Sequence, residues 1–341
     1  MFGLSTNQGV KSCIIYYLGG KMNPDPLFVV NPKVPCKYCK DKSFPKDFKC
    51  SVCHGTGATP VNLNGLWAPS AGFLVCGGPS INKIHFDKLR ERGIVSLAVN
   101  NVAGHVPVTA FCFSDPQSKF HHGLFLDPKM ITFSPIAKLK KRVRAKLEDG
   151  TFQSLKTRVR NCPSTFGFDR KTTFNAKTFL TTEHAHWGRG GKQTSDDKPF
   201  TCLCTMLLGI RLMHYLGCSR VYLLGVDFKR TEEAQYSFNQ QAGVRNGRYS
   251  NENAMLAELK PYFDKEGFKL FNCNPESGCD VFPKVSFEDA FEDCKGAVPN
   301  EPFDMADWYN KGIAEEQEKM HPELMDYKEM VAKQRAARKA K

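Results

Sequence analysis

The stretch GFLVCGGPSI, residues 72–81, decides the fold. A short apolar run, Phe73 to Cys76, is broken by Gly77-Gly78-Pro79-Ser80, and a stretch with helical patterning and apolar positions at Ile84 and Leu89 follows. Strand, glycine turn and helix in succession bring backbone N–H groups and the positive end of a helix close to an anion, because glycine removes the side chain that would block the approach.

Moving outward, IVSLAVNN ends in Asn100-Asn101 and VTAFCFSDP ends in Ser114-Asp115-Pro116. Three successive strands therefore finish in polar residues, which converge at the carboxyl edge of a parallel sheet, where open α/β folds bind ligands. The pattern returns later. Thr201 to Leu216 is apolar enough for a buried helix, Gly217 stops it, and RVYLLGVDF is a buried strand ending in Gly225-Val226-Asp227-Phe228. A final strand, FKLFNCNP, precedes GCDVFP. The expected fold class is α/β, a Rossmann-like, mostly parallel sheet over residues 70–297.

Two CxxC pairs, Cys36/Cys39 and Cys50/Cys53, precede this domain. Four thiolates from two tight turns suit a closed tetrahedral Zn²⁺ site, so residues 31–60 read as a four-cysteine zinc ribbon after an N-terminal segment, 1–30. His54 follows the last cysteine, but four sulfurs suffice. A staple for the N-terminal region and a nucleic-acid contact are both open to such a ribbon. Beyond residue 297 the chain, 298–341, reads as a charged helical extension with a basic tail.

A chain of 341 residues has room for one large domain plus a small module, or for two medium domains, and no apolar run is long enough to span a bilayer. The first residues lack a basic start followed by an apolar core, so the expectation is a cytoplasmic setting, with the remaining cysteines as buried free thiols. The net charge of +13 is local. Residues 33–50 carry a net +4, residues 138–160 a net +7 and residues 333–341 a net +5. Concentrated Lys and Arg with aromatic residues nearby are the footprint of a polyanion partner; solvated surface faces are the alternative.

CGGPSI, VNN, SDP, the helix followed by VYLLGVDF, and KLFNCNP stand in an order that resembles the bacterial sialyltransferases of the Campylobacter type and the related 6-hydroxymethylpterin pyrophosphokinase type, over residues 72–290. The resemblance implies a GT-A-like variant of the Rossmann sheet and a nucleotide-sugar donor, a UDP- or CMP-sugar, clasped by Gly77, Gly78, Pro79, Ser80 and Asn100. Asn101, Gly225 and Asp227 complete the candidate donor site. The catalytic histidine expected after the GVDF-like strand has no counterpart: NGRYSNENAMLAEL supplies Arg248, Tyr249 and Ser250 instead. With a zinc ribbon and basic segments added, the architecture resembles the phage DNA glycosyltransferases associated with TET-type oxygenases. That implies transfer of a sugar to a 5-hydroxymethylpyrimidine in DNA, in a host cytoplasm.

Such a transfer needs a base for the attacking hydroxyl and a means of neutralising the leaving phosphate. Asp115 is the leading base candidate. His184 and His186, in the loop TTEHAHWGRGGKQTSDDKPF with Arg189 and Lys192, would lie on a flap closing over the donor, and Arg245 and Arg248, or Mg²⁺ or Mn²⁺, would neutralise charge. The rival readings are a pyrophosphokinase-like enzyme consuming ATP and a non-catalytic zinc-ribbon DNA-binding protein.

Overall fold

The computed structural model describes residues 29–30, 63–68, 70–91, 93–127, 130–146, 151–162, 164–192, 199–229, 236–237 and 247–295. The zinc-ribbon cysteines Cys36, Cys39, Cys50 and Cys53, and the extension 298–341, lie outside the described residues.

An eight-stranded sheet organises the domain. Its strands are β1 (Val29–Val30), β2 (Ser70–Val75), β3 (Ser96–Val99), β4 (Ala110–Cys112), β5 (Ile131–Pro135), β8 (Thr165–Phe168), β13 (Cys218–Leu224) and β14 (Lys269–Asn272), in the spatial order β1-β8-β5-β4-β3-β2-β13-β14. Seven of these strands run parallel, and β1 closes one edge antiparallel to β8. The α/β expectation holds. Every residue of β2 through β5 is buried, the signature of strands covered on both faces.

Side chains of these strands alternate between two cores. Leu74, Leu97, Val99, Ile131, Phe133 and Phe166 face one side, where helices α3 (Thr205–Tyr215) and α4 (Gly247–Lys265) contribute Leu208, Leu212, Met255 and Leu259. Phe73, Val75, Ala98, Phe111 and Phe113 face the other, joined by helix α5 (Phe287–Cys294) through Phe287 and Phe291. Two short helices, α1 (Gly123–Leu126) and α2 (Ile136–Leu139), add Phe125 and Leu139 to this second core. Helix α3 lies hard against the sheet: a Cβ on Gly209 would come within 2.5 Å of a Leu74 methyl. It ends at Gly217, whose φ of +95° suits a glycine stop.

Two local expectations change. The helix expected after the Gly-Gly-Pro-Ser turn is replaced by two 3₁₀ turns, Pro79–Lys83 and Phe86–Arg90, parted at Ile84-His85. The helix expected from Thr201 starts at Thr205; Pro199–Leu203 is strand β12, antiparallel to β11 (Gly188–Lys192). The basic segment 138–160 forms a β-hairpin of β6 (Arg142–Lys146) and β7 (Phe152–Arg158). Two further short strands, β9 (Arg170–Lys171) and β10 (Ala185–His186), pair parallel beyond the carboxyl end of β8.

Candidate active site

The chain leaves β2 towards β3 on one side and leaves β13 towards β14 on the other, so a crevice opens between the carboxyl ends of β2 and β13. This is the topological switch point at which open α/β sheets bind ligands. Its floor is two chain reversals locked together. Gly78 N–H donates to the Gly225 carbonyl (2.9 Å), and Ser80 N–H donates to Asp227 Oδ2 (2.9 Å). The Ser80 hydroxyl donates to Asp227 Oδ1, which also accepts from Asn274 Nδ2 at 2.8 Å. Asp227 is thus the latch of the glycine turn.

Glycine is required here by close approach of protein to protein. A Cβ on Gly78 would sit 2.5 Å from the Gly225 carbonyl oxygen and 2.6 Å from Asp227 Oδ2. Gly225 has φ +64°, and a Cβ there would collide with the Cys76 carbonyl. The latching also uses up N–H groups that the sequence reading left open for an anion. Gly78 and Ser80 are committed, whereas Gly77 N–H has no acceptor among the described residues and the Gly77 carbonyl accepts from Ser237 N–H (3.0 Å). Pro79 has no N–H to give.

Around this floor stand Cys76, Phe228, Tyr249 and Glu252. Phe228, with a left-handed φ of +50°, stacks on Tyr249 at 5.2 Å and 15°. A bulky residue in that conformation is strained, and such strain collects at functional sites. Burial, with Glu252 and Asp227 nearby, pushes the Cys76 thiol far up, which keeps it protonated. Arg248 lies in the first turn of α4, with its side chain outside the described residues, as is Arg245.

Asn100, at the end of β3, has φ +54° and clasps its neighbours: its Oδ1 accepts from Ser114 N–H (3.0 Å) and its Nδ2 donates to Thr205 Oγ1 (3.0 Å). Asn101 follows it in a 3₁₀ turn, half-buried. The carboxyl ends of β3 and β4 and the start of α3 are thereby tied together, with Ser114 and Thr205 hydroxyls 2.7 Å apart. Asp115 lies next along, at the end of β4, its carboxylate 3.0 Å from Lys119 Nζ.

The histidines of the expected flap are placed otherwise. His186 is 3% exposed; its Nδ1 donates to the Thr173 carbonyl, its Nε2 faces Thr178 Oγ1 at 3.4 Å, and its ring stacks on Phe179. It is a core histidine, and burial lowers its pKa. His184 meets it edge-on at 5.2 Å and is likewise lowered, by burial first. Arg189 grips Glu258 of α4, both N···O distances being 2.8 Å. Among the described residues of this segment, β10 packs against α3, and Arg189 of β11 ties it to α4.

Sequence reasoning overlooked a second group of residues. Lys138 of α2 donates to the carbonyls of Ser114 and Asp115, and Arg170 of β9 donates to the Ser114 carbonyl (3.2 Å) while lying over the Trp187 indole at 3.6 Å. The signal was available in part, since Lys138 and Arg170 follow the strands β5 and β8, whose ends share the same edge.

The basic hairpin starts beside this group, where Gln117 Nε2 donates to the Arg142 carbonyl (3.2 Å). Val143, Ala145, Leu155, Thr157 and Val159 are buried, and Lys140, Lys141, Arg142, Arg158 and Arg160 are exposed. Arg144 is half-buried over the Phe152 ring, at 4.8 Å.

No family model and no curated protein matches the chain. Among solved structures it is similar to the MAf glycosyltransferase from Magnetospirillum magneticum AMB-1, at 13% identity and a TM-score of 0.36, over 67% of this chain and 37% of that one. The chain spans well under half the length of that protein. A likeness so slight carries no argument about chemistry, which rests on the geometry above. No described helix is long and apolar enough to cross a membrane.

Proposed function

We propose that this protein is a nucleotide-sugar-dependent glycosyltransferase whose acceptor hydroxyl is carried on DNA, by a 5-hydroxymethylpyrimidine. The observation that carries the reading is the crevice at the switch point: three left-handed or glycine-only positions, Asn100, Gly225 and Phe228, surround the ends of β2, β3 and β13. Strained backbone held by a dense hydrogen-bond network is what a pre-organised ligand site requires. The exposed cations of the hairpin support a polyanionic acceptor.

In this reading the donor nucleotide lies against Gly77 to Ser80 and Asn101, with Asp227 setting the turn and the Phe228–Tyr249 pair offering an aromatic wall. The acceptor oxygen attacks the anomeric carbon, the bond from that carbon to the nucleotide phosphate breaks, and the hydroxyl proton passes to the Asp115 carboxylate. The phosphate departs with its negative charge, which nearby cations neutralise. Cys36, Cys39, Cys50 and Cys53 would hold Zn²⁺ structurally, since four thiolates leave no open position for chemistry.

The test is incubation with hydroxymethylated DNA and a panel of UDP- and CMP-sugars, followed by nucleoside mass analysis. A sugar-sized mass increase on the modified base, reduced by roughly 10²–10⁴-fold in Asp115→Ala, is the expected result. No increase with any donor would sink the reading.

A further inference from the structure

We propose that Lys138, Arg170 and Trp187 frame an oxyanion subsite, at the carboxyl ends of β4, β5 and β8, that takes a phosphate group. This rests on the transferase reading for its context but not for its geometry. Two half-buried cations, Lys138 on helix α2 and Arg170 on strand β9, converge on one neutral atom, the Ser114 carbonyl oxygen. A carbonyl balances neither charge. The carboxylate beside them, Asp115, is already held by Lys119. Lys119, Lys138 and Arg170 against Asp115 leave the group two positive charges in excess.

The donor inventory is also unbalanced. An ammonium has three N–H donors and a guanidinium five. Lys138 uses two, on the Ser114 and Asp115 carbonyls, and Arg170 directs one to Ser114. The Trp187 indole N–H is buried and has no acceptor among the described residues. The stack on Trp187 fixes the guanidinium plane, which suits the paired oxygens of a phosphate better than a mobile lysine would. Burial, with Arg170 beside it, lowers the Lys138 pKa to about 8, the behaviour of an ammonium short of a counter-anion.

The charge pattern of the edge agrees. The β2/β13 crevice presents Asp227 and the buried Glu252, which repel phosphate, whereas the cations gather at strand ends two to four strands from β2, about 10–20 Å at the usual strand spacing. That span fits a donor whose nucleoside sits in the crevice and whose phosphate reaches β4. It also fits an acceptor phosphate arriving along the adjoining hairpin.

The experiment measures acylation of Lys138 at pH 8 in the intact protein by peptide mass spectrometry, with exposed Lys265 as the internal standard. Inorganic phosphate and UDP are expected to slow Lys138 about tenfold and to leave Lys265 unchanged. Arg170→Gln should weaken phosphate binding by about tenfold or more, the worth of a charge-assisted contact. Unchanged Lys138 labelling with both phosphate and UDP overturns the proposal, whatever a DNA duplex does, because a duplex on the hairpin could shield the lysine by itself. Given protection by phosphate, further protection by UDP assigns the subsite to the donor, and protection by a short duplex without UDP protection assigns it to the acceptor backbone. If Arg170→Gln fails to fold, the wild-type labelling decides alone. Sugar transfer without phosphate protection defeats only this subsite; phosphate protection without sugar transfer defeats only the transferase reading.

Discussion

Gly225 and Gly93 both have positive φ, yet their surroundings separate two costs of replacing glycine. Nothing lies within 4 Å of a Cβ on Gly93, at φ +89°, whereas a Cβ on Gly225 meets the Cys76 carbonyl. Gly93→Ala should therefore cost only the backbone term, about 1 kcal/mol, and Gly225→Ala several-fold more, read as the difference in urea midpoints. Equal losses would mean that the turn has room to shift. Asp227→Ala strips the acceptor from two groups of Ser80 and from Asn274, so a loss of roughly 2–3 kcal/mol is expected, along with weaker nucleotide binding by calorimetry. The glycines of the turn were legible because their need is local. Their cause was not: the atoms that crowd Gly78 belong to residues about 147 positions downstream, and no window of sequence contains both.

At the scale of elements, the hairpin alternates as a half-buried antiparallel pair must, and this redraws which charges are free to bind. Arg144 packs on Phe152, while Lys140, Lys141, Arg142 and Arg158 are exposed. Replacing those four with Gln should leave the melting temperature nearly unchanged, since surface substitutions fall within about 0.5 kcal/mol each. DNA affinity should drop, and the slope of log affinity against log salt should flatten by roughly three to four units. A slope that stays the same would remove the hairpin from the interface. The sequence indicated a basic stretch but not its ribbon form, because lysine and arginine at alternate positions carry no apolar period strong enough to announce a strand. Thr201 to Leu203 misled in the opposite way. Their apolar character runs unbroken into α3, and the partner that makes them a strand, Gly188–Lys192, reads as a polar loop.

For the molecule as a whole, burial of titratable groups sets a pH window of stability. His122 and His214 are lowered to about 4, mainly by burial, so below about pH 6.5 the unfolded chain takes up protons that the folded chain refuses. Stability should fall as pH drops from about 6.5 towards 4. Cys279 is raised to about 11, and Cys218 and Cys273 to about 12, again by burial first. Above about pH 9 the unfolded thiols ionise and the folded ones do not, so stability should fall again towards pH 12. Lys138 opposes this trend, since its lowered pKa favours folding as pH rises from about 8 to about 10.5, but one amine faces several thiols. Thermal melts in reductant across pH 4 to 11 should trace a dome; a flat profile would contradict the burial of these groups. The parallel sheet itself was legible from its apolar runs and their polar ends. The order of its strands was not, because β13 inserts beside β2 only after the chain has built the sheet's other wing.

That late return has a kinetic side. The pairs β2–β3, β3–β4 and β4–β5 join residues 13 to 23 positions apart, whereas Asp227 must find Ser80 across 147 residues. Closing so long a loop costs conformational entropy before any bond rewards it, and contacts of such separation form slowly. The crevice is thus the last part of the sheet to assemble on refolding. A chain caught midway would carry one wing of the sheet, with β2 as its raw edge and no binding site, and pulsed hydrogen exchange would find the Ser80 amide protected after those of β3 and β4.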